Sequence, residues 1–502
     1  MATPVNLCSA LYNARPPDAA LFLSGADTVT TANATERIAS FAASLRALGV
    51  EPGDRVTVKL PKSVDTILLG HAVLAVGAII HPLNDSYTDL EIEALVADAG
   101  PRLMVVDDAE RARFAALCAR YTVALETIAP SGGTLADAAS RPPHAFAPLA
   151  PAAHNGAALL YTSGTTGKPK GALITHRNLV ENARALAQIW QLGPKDVLLH
   201  ALPVFHAHGL LTSINVLLAS GGAIRLLPRF EAGEVLAALP GCTLMMGVPT
   251  HYARLGADSR LAALDAPHLR FAISGSSALP NAVSATFENA TGVPVLERYG
   301  STEAAIVAAV PPDRAERRGW VGWPLPEVEI RVAPEGGGYK STGIGELETR
   351  GPHVFAGYWS DEAATSEAMS PDGWFRTGDI AEIDEEGCVR ILGRSKEIVI
   401  SGGLNVYPAE VENALLTLPG IAEAAVFGAP HPDFGEAVVA AVESNAPETF
   451  DEAAAIARLR ERLAAYKTPK RILVTDALPR NAIGKLHFFF NDTATTEIYT
   501  PG

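Results

Sequence analysis

Eleven residues, Tyr161–Gly171 (YTSGTTGKPKG), restrict the fold more than any other stretch of the chain. They hold five hydroxyls, three glycines and two lysines. Apolar Ala157–Leu160 leads in and Ala172–Ile174 leads out, so the loop lies between two segments that read as buried strands. Glycines let backbone N–H groups approach a ligand closely, hydroxyls donate and lysines offset charge, which suits the wrapping of a polyphosphate. The spacing is not that of a Walker loop. Gly164-x-x-Gly167-Lys168 is followed by Pro169, which has no N–H to give. A flexible Gly/Ser/Thr linker is the plainer alternative, and the flanking apolar runs argue against it.

From Ala157 onward, short apolar runs alternate with longer helical patterns. The runs are Val197–Leu202, Ala223–Leu227, Thr243–Gly247, Arg270–Ser274 and Val293–Tyr299. This rhythm predicts a parallel sheet with crossover helices, whose ligands bind beyond the carboxyl ends of the strands. Before it, residues 1–150 alternate in the same manner, and Thr127–Gly156 is a Pro/Ala-rich connection. After about Pro311 the segments shorten and read as β, and a further change comes near Gly393. At 502 residues the chain exceeds what one core supports. A net charge of −15 argues against non-specific nucleic-acid binding. The longest apolar run, Thr66–Ile80, is interrupted by Gly70 and His71 and is shorter than the ~20 residues a membrane span needs, so a core helix is expected and no membrane partner. The four cysteines are far apart without a C-x-x-C pair, which speaks against zinc and disulfides. The N-terminus lacks signal-peptide character, so a cytoplasmic setting is expected.

Four further motifs carry chemistry. Glu297–Glu303 (ERYGSTE) ends a predicted strand and offers Glu303 to Mg²⁺, an ion that takes one or two carboxylates plus phosphates and waters. Trp374–Asp379 (WFRTGD) places an acid after a tight turn, suited to ribose hydroxyls, or alternatively to capping a strand. Gly393–Glu410 (GRSKEIVISGGLNVYPAE) joins a charged turn to a Gly-Gly pair and an apolar helical stripe. Pro479–Lys485 (PRNAIGK) ends in a lysine.

Together with the phosphate loop, these motifs resemble the adenylate-forming superfamily of acyl-CoA synthetases, nonribosomal adenylation domains and luciferases, in the family's order and over nearly the whole chain. The resemblance implies an α/β fold: a large N-terminal domain of doubly wound sheets plus a β-barrel-like subdomain (1–393), a hinge (394–396) and a small mobile α+β C-terminal domain (397–487). It implies an acid-thiol ligase that uses ATP, Mg²⁺ and coenzyme A to make an acyl-adenylate and then an acyl-CoA. Thr162, Ser163, Gly164, Thr165, Thr166, Gly167, Lys168 and Lys170 would hold the phosphates. Ser276, Ser277, Tyr299, Asp379 and Arg394 would complete the ATP site. Thr302, Glu303, His206 and Lys485 would be catalytic, Lys396 the pivot, and Gly402 and Gly403 the pantetheine tunnel wall. The chemistry asks for a cation such as Lys485, because charge builds on the α-phosphoryl group as a carboxylate attacks it.

The acyl partner is a small carboxylic acid. Gly247–Leu255 (GVPTHYARL) with His-Ala-His-Gly and Ser274–Pro280 (SGSSALP) is similar to malonyl-CoA synthetases, in which Arg254 would grip a distal carboxylate. A plain exposed ion pair is the rival reading of Arg254. His206 and His208 lack an obvious third ligand for a metal, and the resemblance makes His206 a gate beside the acyl pocket. Ser274, Gly275, Ala207 and Ser301 would line that pocket. Ala207 and Ser301 stand where larger residues are usual in the malonyl pattern, which implies room for a 2-substituted malonate. Three alternatives stay open: a ligase for an aryl or other monocarboxylic acid, an enzyme loading a carrier protein, and a nucleotide-binding protein without catalysis. Finally, Phe488–Gly502 (FFFNDTATTEIYTPG) matches no family feature; Asn491–Thr500 resembles the translation of a sequencing-library adapter, so this tail is expected to be non-native.

Overall fold

The structure is a computed structural model describing residues 6–25, 27–129, 132–135, 145–150, 152, 154–163, 169–334, 337–401, 404–431 and 435–479. Among these residues the strands form four sheets. Six strands of the nine-stranded sheet run parallel, in the order Val295–Ser301, Phe271–Ser274, Leu244–Gly247, Val197–His200, Ala223–Leu226, Ala20–Ser24. Antiparallel strands close both edges. The strands are near-continuous apolar runs because helices cover a parallel sheet on both faces.

In the seven-stranded sheet, Gly156–Ser163 lies parallel to Ile79–Pro82, followed by Arg55–Lys59, Leu103–Asp107 and Ala124–Ile128. Pro169–Thr175 folds back antiparallel on Gly156–Ser163, so the strands flanking the predicted phosphate loop form a hairpin. The apolar run Thr66–Ile80 is not one core helix, as the sequence suggested. Helix Val64–Ala75 ends at Val76, Gly77 turns the chain at φ +76°, and strand Ile79–Pro82 follows. Both elements are buried, so apolarity alone cannot separate them.

Helix His176–Ile189 braces the assembly. Thr175 and Asn178 form a reciprocal cap at its start. The amide of Asn178 also donates to the carbonyls of Pro352 and Val354 (2.7 and 2.8 Å), and that of Asn182 to Ile306 (2.8 Å). Its apolar face enters a core shared by strands of both large sheets.

An antiparallel sheet of four strands, ordered Glu329–Ala333, Gly343–Arg350, Phe375–Ile383, Val389–Arg394, stands where the β-barrel-like subdomain is expected. Past the short turn Ser395–Glu397 the chain builds a further sheet with its own core, including Val399, Val411, Leu415, Val426, Val438 and Leu459. No helix among the described residues is long and apolar enough to cross a membrane.

Candidate active site

The parallel strands of the nine-stranded sheet end side by side, Met246 in register with His200, Gly247 with Ser274, and Ser274 with Glu297. Several of the sequence-predicted residues that the structure describes lie on and beside these ends.

Tyr299, Asp379 and Arg394 meet although 80 and 95 residues separate the first from the others. Asp379 and Arg394 are cross-strand partners, with Arg394 Nε 3.0 Å from Asp379 Oδ1. The Tyr299 hydroxyl donates to Asp379 Oδ2 at 2.5 Å. Burial, reinforced by the Asp379 charge, pushes the Tyr299 phenol well above its usual range. Burial alone would lower the proton affinity of Arg394, but the carboxylates around it, Asp379 foremost, outweigh it and hold the guanidinium charged.

Glu303 lies two residues beyond the strand end. Its Oε1 accepts from the Tyr358 hydroxyl (3.1 Å) and the Thr162 hydroxyl (3.3 Å). Thr162 faces Lys170 across the hairpin, and the Lys170 ammonium sits 5.2 Å from the Tyr358 ring centroid. The hairpin strand that leads into the predicted phosphate loop therefore meets Glu303 through Thr162. Thr302 is half-buried in the turn before it, and Ser163 closes its strand opposite Pro169. Gly164, Thr165, Thr166, Gly167, Lys168, Gly402, Gly403 and Lys485 lie outside the described residues. No group of three or more His, Cys, Asp or Glu side chains that could hold a metal occurs among the described residues. A lone carboxylate fits Mg²⁺, which completes its shell with phosphates and water, and does not fit a closed protein cage.

The other side of the site is built around an arginine to which the sequence reading gave no role. Arg298 is buried, and its Nε and Nη2 have no hydrogen-bond partner among the described residues. The guanidinium passes over Gly275, where a Cβ would lie 2.2 Å from Nε, so the Ser-Gly of this motif makes space for it. Burial lowers the proton affinity of Arg298 to about 10, which still leaves it charged. Beside it, Ser276 Oγ and His208 Nδ1 are 3.2 Å apart, and His206 Nδ1 accepts the His208 N–H at 3.2 Å. The buried Ser274 Oγ and His208 Nε2 have no partner among the described residues. Burial, then the Arg298 charge, lowers His206 to about 4 and His208 further, so both rings are neutral. His208 opens a π-helical turn, His208–Ser213, and a Cβ at Gly209 would stand 1.9 Å from the Pro203 carbonyl.

Ala207 is half-buried against the core, and the half-buried Ser301 accepts the Ala304 N–H (3.2 Å). Ser277 is exposed. Arg254 is exposed too, in the last turn of helix Pro249–Gly256, and helps to lower the proton affinity of His251 one turn earlier. Lys396 is exposed in the turn Ser395–Glu397.

Comparison with known proteins places this geometry in a family. Residues 11–359 match the AMP-binding enzyme model and residues 410–485 the AMP-binding enzyme C-terminal domain. The chain belongs to the AMP-binding enzyme family. It is 35% identical over 476 residues to a feruloyl-CoA synthase of Amycolatopsis, covering 94% of each chain. It is 37% identical over 362 residues to the malonate–CoA ligase of Arabidopsis thaliana, covering 66% of this chain and 59% of that one. ATP-bound MatB from Rhodopseudomonas palustris superposes with a TM-score of 0.93 at 40% identity over 99% of each chain. The activity class follows: an ATP-dependent acyl-CoA ligase that forms AMP.

Proposed function

We propose that the acid is a short dicarboxylate, malonate or a 2-substituted malonate, and that its distal carboxylate is received by Arg298. The observation that carries this reading is the buried guanidinium whose Nε and Nη2 have no partner among the described residues. A buried cation left unpaired is unfavourable by several kcal/mol on the order of magnitude, and an incoming carboxylate offsets that cost where an uncharged acyl group would not. Neutral His206 and His208 bring hydrogen-bonding capacity without repelling protons or adding charge. Arg254, the residue suggested by the sequence, keeps a role at the exposed rim. The small side chains of Ala207 and Ser301 support room for a substituent at C2.

In the first half-reaction one carboxylate oxygen attacks the α-phosphorus and pyrophosphate leaves. Thr302 and the loop residues Thr162, Ser163, Gly164, Thr165, Thr166, Gly167, Lys168 and Lys170 hold the phosphates, and Lys485 offsets the charge that builds on the reacting group. Tyr299 stacks on adenine, Asp379 and Arg394 hold the ribose side, and Ser276 and Ser277 complete the nucleotide site. Glu303 would hold Mg²⁺, whose chemistry is to neutralise phosphate charge. The segment after residue 396 then turns about Lys396, withdrawing Lys485 and bringing Gly402 and Gly403 to the pantetheine. The CoA thiol attacks the acyl carbonyl and AMP departs, so one site serves two half-reactions.

The test is acid-dependent exchange of labelled pyrophosphate into ATP with malonate, methylmalonate, acetate, benzoate and medium-chain acids. Exchange with the malonates, and formation of the CoA thioester on adding free CoA, is the expected outcome. Exchange with monocarboxylates alone would sink the dicarboxylate assignment, and thioester formation only on a carrier protein would redirect the second half-reaction. Ala207→Thr with Ser301→Met is expected to lower kcat/KM for methylmalonate about tenfold relative to malonate, the scale of one methyl group's fit.

A further inference from the structure

The row of strand ends has a second cation at its far end, outside every motif above. Lys62 belongs to the turn between strand Arg55–Lys59 of the seven-stranded sheet and helix Val64–Ala75. That turn is rigidly mounted. Ser63 Oγ accepts the Thr66 N–H at 3.1 Å, and Thr66 Oγ1 donates to the Pro61 carbonyl at 2.6 Å. From there the half-buried Lys62 crosses to the other sheet, its Nζ donating to the His200 carbonyl at 2.9 Å. His200 ends its strand two places along the sheet from Ser274 and Gly275, over which Arg298 lies. Two inter-strand spacings amount to roughly 10 Å.

His251 occupies the interval. Its helix follows Gly247, its ring stacks on Phe230 at a centroid distance of 3.9 Å, and its buried Nδ1 has no partner among the described residues. The charges of Arg254 and Lys62 both lower its proton affinity, and that of Lys62 also lowers His200, in each case after burial itself. Lys62 takes part in no ion pair among the described residues, and burial pulls its own proton affinity well down. Among the described residues its hydrogen bond goes to a carbonyl, which satisfies a donor and supplies no counter-ion.

We propose that Lys62 is a specificity-determining residue of the acyl pocket: from the wall opposite Arg298 it supplies positive charge that favours an acid with a second anionic group over an uncharged acid of the same size. This rests on the dicarboxylate reading and extends it. Arg298 receives the distal group on the floor, and Lys62 acts on it across neutral His251 and His200, which carry no charge of their own to shield it. Interaction at that range is modest in a partly wet pocket, so the effect belongs in KM.

The experiment compares malonate with 3-methylbutanoate, which replaces the distal carboxylate by an isopropyl group of the same size, on the full-length protein. Lys62→Met is expected to raise KM for malonate about tenfold, with kcat within about twofold and KM for ATP and CoA unchanged. The kcat/KM for 3-methylbutanoate should stay level or rise, and Lys62→Arg should recover most of the malonate KM. Lys62→Gln, which keeps a donor for the His200 carbonyl without the charge, makes the same test should Lys62→Met not fold. Equal losses with both acids and a lowered Tm would reduce Lys62 to a tether between the sheets. A raised KM for CoA alone would mean that it faces the thiol substrate. A wild-type protein indifferent between the two acids would overturn the dicarboxylate reading itself, whereas a preference that survives in Lys62→Met and Lys62→Gln would overturn the role of Lys62 alone.

Discussion

Around Tyr299, Asp379 and Arg394 the charged groups meet one another within 3.0 Å, while a few residues away Arg298, Ser274 and His208 present buried polar atoms with no partner among the described residues. Residues 298 and 299 are neighbours on one strand, so the contrast arises from what each side chain faces. Around Tyr299 and Asp379 the network is satisfied within the protein, which fixes geometry at the expense of contacts that the nucleotide, on the proposed reading, must displace. Around Arg298 the cost of desolvation is left standing, so on the proposed reading an acid that cancels it gains affinity that an uncharged competitor cannot.

The difference predicts opposite signs for stability. Arg298→Met is expected to lower kcat/KM for malonate about a thousandfold, as loss of one partner of a buried charge pair does, while leaving Tm level or raising it. A drop in Tm with equal loss on every acid would show that Arg298 serves the fold instead. Asp379→Asn is expected to raise KM for ATP about a hundredfold and to lower Tm. The loss of stability should be only about 1 kcal/mol, because Arg394 is 42% exposed and water screens its charge. Calorimetry on both variants reads the two signs directly; a shared sign would erase the contrast.

The smallest effect concerns Glu297, which accepts the Gly319 N–H at 2.9 Å and is pushed by burial to about 7. An ordinary glutamate titrates at about 4.5, so between about 4.5 and 7 the folded state binds the proton more tightly than the unfolded one. This contribution is fully present at low pH, declines as pH rises through that window and is gone above it. Glu297→Gln should therefore flatten the fall in Tm between pH 5 and pH 8 by a few degrees, and an unchanged slope would place the titration elsewhere.

The grouping around Tyr299 and Glu303 was legible in part because its residues are carried in contiguous motifs. Tyr299 with Asp379, and Thr162 with Glu303, are convergences that motif order anticipates. Arg298 was passed over inside a motif that was otherwise read. Flanked by Glu297 and Tyr299, it reads in sequence as one more polar residue at a strand end, with nothing to mark its burial. Its overlap with Gly275, 23 positions earlier, needs the pairing of two strands to become visible. Lys62 had still less signal, since its contact joins two sheets across 138 residues. Arg254 shows the converse: a motif match carries no information on exposure, and the structure finds this side chain exposed. The split of Thr66–Ile80 into helix and strand turned on Gly77, a single left-handed residue inside a largely apolar run.

The last rung of the Phe375–Ile383/Val389–Arg394 ladder pairs Asp379 with Arg394, and the turn Ser395–Glu397 begins at the next peptide. On the proposed reading, the grip on the ribose and the pivot are one piece of covalent chain with no slack between them. Occupancy of the nucleotide seat and the orientation of the segment beyond it then have a common lever arm. Such a linkage dictates kinetic order: the step that swaps one half-reaction for the other would be timed by departure of pyrophosphate, and the return stroke by departure of AMP, so product inhibition by AMP should trap the protein in a single posture.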